Sequence, residues 1–161
     1  MKKAQATSSE SPEKQITGFI GKFDPKMQKV IREMRVALRK RFPAAYELVY
    51  DNYNFLVFGF CSAPRASDCV VSLAVDANKA SICFTYGKKL ADPEKLLHGG
   101  GNQVRFLALE GPATLKKTGV ERLLKEAEAI GKVPMPATGK GETIVKSISA
   151  KQRPRRKDLS D

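Results

Sequence analysis

The run from Cys69 to Tyr86 constrains the fold more tightly than any other stretch. It reads CVVSLAV, DANK, ASICFTY: two segments rich in β-branched and aromatic residues around a four-residue polar connection. Cys69, Val71, Leu73 and Val75 share one side of the first segment, and Ala80, Ile82, Phe84 and Tyr86 share one side of the second. Alternation of period two across a short loop predicts a β-hairpin with one face against a core. The rest of the chain reads as sheet added beside this hairpin or helix packed on it.

A length of 161 residues suits one domain, and folding at this size buries roughly 70% of the unfolded chain's surface. Residues 1–11 are small, polar and charged and read as a disordered arm. Pro12 opens a short helix capped by Ser11, with Ile16, Phe19, Ile20 and Phe23 on one side. Asp24-Pro25 opens a stronger one. Its apolar stripe is Met27, Val30, Ile31, Met34, Ala37 and Leu38, and it ends before Pro43.

Strands are expected at Ala45–Tyr50, Asn54–Cys61, in the hairpin, and at Val104–Leu109. Asp92-Pro93 starts a single helical turn, and Thr118 to Glu121 has capping-box spacing ahead of a last helix ended by Gly131. The fold class is therefore α+β. A largely antiparallel sheet of about five strands carries two N-terminal helices and one C-terminal helix. The domain spans 12–131. Residues 132–161 form a basic, mostly disordered tail, with an edge strand at 142–149 and disorder from Ala150 onward.

The net charge of +12 is unevenly spread. Residues 132–161 hold eight Lys/Arg against three Asp/Glu, and residues 25–41 hold seven against Glu33 alone. Positive charge thus sits on one helix and one tail. No apolar run approaches the ~20 residues of a membrane span, and MKKAQATSSESPEK lacks the apolar stretch of a secretory signal. Cys61, Cys69 and Cys83 are odd in number and lack CxxC spacing, so they read as buried free thiols. The expected location is the cytoplasm, and no membrane partner is expected.

The basic helix ending KRFPAAYELVYDNYNF, the hairpin, and LLHGGGNQVRFLAL together resemble the YdhG-like family of small bacterial domains over roughly residues 12–131. These domains are mostly uncharacterised, and one branch is described as frataxin-like iron chaperones. Where that family often has Tyr-Gly-Met-Pro before an aromatic residue, this chain has Tyr50, Asp51, Asn52 and Tyr53. A cleft lined by that segment is more polar here.

Three classes of function follow. The first is a non-catalytic binding module for an anionic partner, nucleic acid among the candidates. Its anion contacts are Lys29, Arg32, Arg35, Arg39 and Lys40 on the helix and Arg153, Arg155 and Arg156 on the tail. No aromatic residue interleaves with these cations in sequence, so base stacking has no evident platform. The second class, implied by the resemblance, is iron chaperoning. It requires clustered hard oxygen ligands, for which Glu47 and Asp51 are weak candidates. The third is a small-molecule pocket between helix and sheet, edged by Tyr46, Tyr50, Tyr53 and Tyr86.

Loop candidates for ligand contact are His98, Gly99, Gly100 and Gly101, whose amides could cradle an anion beside Arg105. His98 is the only histidine, and an enzyme would need Asp51, His98 and Arg105 to converge. No P-loop or dinucleotide fingerprint is present. Neither a catalytic group nor a cofactor is assigned.

Overall fold

The computed structural model describes residues 10–157. Two helices, α1 (Pro12–Gly21) and α2 (Pro25–Arg41), precede five strands: β1 (Tyr46–Asp51), β2 (Leu56–Cys61), β3 (Cys69–Val75), β4 (Ala80–Phe84) and β5 (Arg105–Leu109). Helix α3 (Thr118–Ile130) and strand β6 (Thr143–Ile148) follow. The six-stranded sheet has the order β5-β4-β3-β2-β1-β6, antiparallel throughout except where β6 runs parallel to β1. The fold is α+β as expected, and the tail strand is the sixth.

Alternation decides which face is covered. Phe58 pairs with Val49 and Leu73, and Leu73 with Ile82, so this row lies on the side that α2 packs against through Ile31, Met34 and Leu38. Burying such a row is worth roughly 1.5–3 kcal/mol per side chain relative to leaving it exposed. The opposite face carries Gly59, Ser72, Ser81 and Cys83. A bulge between Phe60 and Cys61 moves Cys69 out of the Val71 row and pairs it with Cys61 on this second face. The strict alternation read from the sequence fails at that one position, because a bulge adds a residue to one strand.

Caps differ from expectation in detail. Ser11 does accept a hydrogen bond from Lys14 N. The capping box at Thr118 does not form: Lys117 precedes the helix, and Glu121 pairs with Arg41 instead. The residues after Asp92 make a turn rather than a helix, with the Asp92 carboxylate accepting from the backbone N–H of Leu96 and Leu97. Gly131 ends α3 with an ordinary negative φ.

The tail departs most from the sequence reading. Disorder is expected from Ala150, yet residues 150–157 pack against the chain after α1 and the end of β1. Arg153 N donates to Tyr53 O at 2.9 Å. Gln152 Nε2 donates to Asp51 O at 2.9 Å, and Arg155 Nη2 to Asp51 Oδ1 at 2.9 Å. Arg155 and Asp51 side chains are 2% and 0% exposed. Lys22 Nζ closes the group on Asp51 Oδ2 at 2.6 Å. Arg155 also stacks 5.8 Å over the Phe23 ring.

This pair is a linchpin with a desolvation cost. Arg155 Nε and Nη1 are buried without a hydrogen-bond partner among the described residues. Removing Asp51 leaves the buried Arg155 charge uncompensated, which costs about 3–5 kcal/mol, whereas removing Arg155 leaves Asp51 paired with Lys22. Asp51→Asn is expected to destabilise by that amount in urea unfolding. Asp51→Asn combined with Arg155→Met should cost clearly less than the two single changes added together.

Candidate anion-binding site

The β1 sequence YELVYD sends Glu47, Val49 and Asp51 toward the helices, with the two carboxylates in the same row as core residues. Glu47 is 1% exposed and must be paired. Helix α2 supplies the pairing. Arg35 donates from Nε to Glu47 Oε2 at 2.7 Å and from Nη2 to Oε1 at 2.8 Å. The same guanidinium reaches Glu13 on α1 at 2.9 and 2.6 Å. Thr143 Oγ1 on β6 donates to Glu47 Oε1 at 2.8 Å. One arginine therefore ties α1, α2 and β1 together, and one glutamate adds β6.

Burial works against the Arg35 charge, but the hydrogen bonds to Glu47 and Glu13 outweigh it and raise its pKa. The Arg35 hydrogen bonds hold the Glu13 carboxyl below its usual range, with Arg39 and Lys140 adding to the positive field. Arg35 is thus consumed as a structural residue. It does not offer a free contact for a ligand.

Arg39, one turn further along α2, is shared between structure and surface. Its Nη1 donates to Phe42 O, Pro43 O and Ala45 O at 3.3, 3.2 and 2.7 Å, which satisfies carbonyls left open at the helix end. Its Nη2 is buried without a hydrogen-bond partner among the described residues and lies 3.9 Å from Glu47 Oε1. Arg35 and Arg39 both lie over β2 aromatic rings, Phe58 and Phe60, each at 5.6 Å.

These groups line a cleft of about 690 Å3 between α1, α2 and the chain entering β6. Its charged lining is Arg32, Arg35, Arg39 and Lys140 against Glu13 and Glu47, a surplus of two positive charges. Arg32 is exposed at the rim and bonded to Gln28 at 2.9 Å. Lys140, also exposed, lines the same cleft. Gly141 lets the loop approach α2: its N–H donates to Pro43 O at 2.9 Å, and a Cβ there would collide with the Ala45 carbonyl. Lys140, Glu13 and Thr143 carry no sequence signal as site residues, because only the parallel pairing of β6 with β1 brings them here.

The remaining helix cations lie elsewhere. Lys29 is exposed outside the cleft, and Lys40 lines a separate groove with Arg41 and Lys116. Arg41 is held by Glu121 and Glu128. The five helix positions therefore do not form one anion-binding face.

On the tail, Arg155 is buried on Asp51, whereas Arg153 and Arg156 are exposed. These two and Lys157 line a groove with Asn54, Phe55 and Asp76. Arg153 lies 5.9 Å over the Tyr53 ring, and Tyr53 is itself half exposed. Aromatic rings thus do stand beside the tail cations, brought there by the β1–β2 turn rather than by sequence proximity.

Other candidates disperse. Arg105 sits on β5 and Asp51 on β1, four strand spacings apart, which at ~4.8 Å per spacing is about 19 Å. His98 forms a two-bond backbone bridge with Phe106 and is exposed. Gly99 has φ of 122°, while Gly100 and Gly101 stand in open space. Arg105 Nη1 donates to Gly101 O and Val104 O, both at 2.8 Å, so it straps the loop. Asp51, His98 and Arg105 do not converge.

Tyr46 and Tyr50 lie on the sheet face away from the helices, and Tyr86 Oη donates to Ser67 O at 2.7 Å. Tyr86 edges a small pocket of about 50 Å3 between α3 and β3, lined by Ala127, Ile130, Cys69 and Val70, whereas Tyr46 and Tyr50 do not line it. Glu47 and Asp51 are each occupied by cationic side chains. Among the described residues no group of three or more His, Cys, Asp or Glu is placed to hold a metal ion, and no helix is long and apolar enough to cross a membrane. Comparison with protein-family models, curated proteins and solved structures gave no match.

The Glu13–Arg35 contact generates a pH test. A carboxyl with a lowered folded pKa contributes stability above its unfolded pKa and loses it as pH falls through the folded value. The stability advantage of wild type over Glu13→Gln is therefore expected to be largest near neutrality and to close in acid. Because the Glu13 side chain is 65% exposed, the gap should not exceed about 1 kcal/mol and should shrink in salt.

Proposed function

We propose that this chain is a non-catalytic binding module for an anionic partner, seated in the cleft between α1, α2 and the loop entering β6. The observation that carries this reading is the surplus of two positive charges on the cleft lining, with Arg32 and Lys140 both exposed at it. Arg32 and Lys140 would neutralise an incoming phosphate or carboxylate from the rim. Arg35, by contrast, supports the site by fixing Glu47 and Glu13.

The partner class proposed is a phosphate-bearing polyanion, with nucleic acid the leading candidate. The tail groove offers a second set of phosphate contacts at Arg153, Arg156 and Lys157. The YdhG-like resemblance is compatible with a small binding domain and adds no ligand. Its iron-chaperone branch gains no support from Glu47 and Asp51, whose oxygens already accept from Arg35, Lys22 and Arg155.

The test is binding of fluorescent mixed-sequence single-stranded DNA, RNA and inorganic polyphosphate across a salt series. Wild type is compared with Arg32→Glu/Lys140→Glu and with Arg153→Glu/Arg156→Glu. Binding should weaken with salt, and each lost phosphate contact should lower the slope of log K against log salt by about 0.7–0.9. Loss in the cleft variant supports the cleft. Loss only in the tail variant moves the site to the tail groove. Absence of binding to all three probes at low salt would discard the reading.

A further inference from the structure

The face of the sheet opposite α2 carries chemistry that anion binding does not use. Cys61 ends β2 and Cys69 begins β3, and the antiparallel register sets them directly opposite one another. A bulge creates this pairing: Phe60 pairs with Val71, and the next pair is Cys61 with Cys69. Gly59, on the same face, leaves the space beside the sulfurs open. A Cβ on Gly59 would lie 3.2 Å from Cys69 Sγ and 3.6 Å from Cys61 Sγ, so both sulfurs border one vacant point. Cys61 is buried, while Cys69 and Cys83 are half-buried, and all three are free thiols.

We propose that Cys61 and Cys69 form a thiol pair that a hydroperoxide converts to a cross-strand disulfide, with Cys69 as the attacking sulfur and Cys61 as the resolving one. Opposed residues in an antiparallel pair bring their Cβ atoms to ~4.5–5.5 Å, close to the 3.5–4.5 Å separation that a disulfide needs. The bond therefore requires a small local adjustment and no unfolding.

The surroundings divide the two roles. The hydrogen bond from the Cys61 thiol lowers the pKa of Cys69 against the opposing effect of burial, and Thr85 adds to the lowering. The same contact, with burial, raises the pKa of Cys61 and keeps its proton in place. Cys69 Sγ also lies 3.3 Å from Val71 O, an acceptor for its proton in the neutral form. Cys83 is raised chiefly by burial, which leaves it the less reactive third thiol.

The chemistry balances in two steps. The Cys69 thiolate attacks one oxygen of hydrogen peroxide, the O–O bond breaks, and Cys69 sulfenic acid and hydroxide form. Cys61 sulfur then attacks the sulfenic sulfur, the S–O bond breaks, and the thiol proton leaves with the departing hydroxyl as water. Peroxide is reduced by two electrons, and the two sulfurs are oxidised by one each.

The full chain is treated with hydrogen peroxide, alkylated, and followed by intact mass and by peptide mapping without reduction. Wild type and Cys83→Ser should each lose two thiols and two hydrogens per chain, gain no oxygen, and yield a Cys61–Cys69 cross-linked peptide that dithiothreitol reverses. In Cys61→Ser the cross-link should vanish, and a dimedone adduct should appear on Cys69. Far-UV circular dichroism checks that this variant folds, while the Cys83→Ser result stands independently of it. Unreacted thiols in wild type, stable oxygen addition without a cross-link, a bond to Cys83, or a bond only between chains would each overturn the proposal.

Discussion

Two buried carboxylates on one strand hold this structure together. Glu47 and Asp51 are four residues apart on β1, on the same side of the strand and about 13 Å from one another. Each points into an otherwise apolar layer, where an unpaired charge would be prohibitive. Glu47 is satisfied only if α1, α2 and β6 arrive together, through Glu13–Arg35 and Thr143. Asp51 is satisfied only if the chain after α1 and the tail arrive together, through Lys22 and Arg155. The apolar rows explain why a layer forms; the carboxylates explain why both ends of the chain are fastened to it.

That arrangement reassigns much of the positive charge. An arginine opposite an apolar stripe reads as surface charge, yet Arg35, Arg41 and Arg155 are spent on carboxylates of the same chain. What remains available is smaller and better localised. Arg32 and Lys140 meet at one cleft, while Arg153, Arg156 and Lys157 meet beside Tyr53 and Phe55. The structural and ligand-facing roles are linked, since Arg35 shapes the cleft by filling its floor with fixed ion pairs.

The sheet face opposite α2 follows a different rule. Its small residues, Gly59, Ser72 and Ser81, bring cysteine and hydroxyl groups close together with little apolar mass between them. Helix packing on the opposite side leaves this face free to differ without loss of core. The thiol pair and the cleft therefore sit on opposite sides of the sheet, and β2 contributes to both: its phenylalanines underlie Arg35 and Arg39, and its glycine and cysteine border the sulfurs.

Local pattern alone determined the helices, the hairpin and the α+β class, because periodicity and caps depend on neighbours within a few residues. The stripe from Met27 to Leu38 and the alternation from Val71 to Val75 are legible for that reason. The bulge at Phe60 is not, since a register shift needs both strands. Nor is the place of β6, because a parallel edge strand depends on a partner some hundred residues earlier. The cleft inherits this limit: Arg32 and Arg39 are visible on a basic helix, but Lys140 joins them only through tertiary pairing. Arg155 shows the same division most sharply. In sequence it stands in a run of exposed-looking cations, and its burial is decided by Asp51, a charge that only the folded sheet puts within reach.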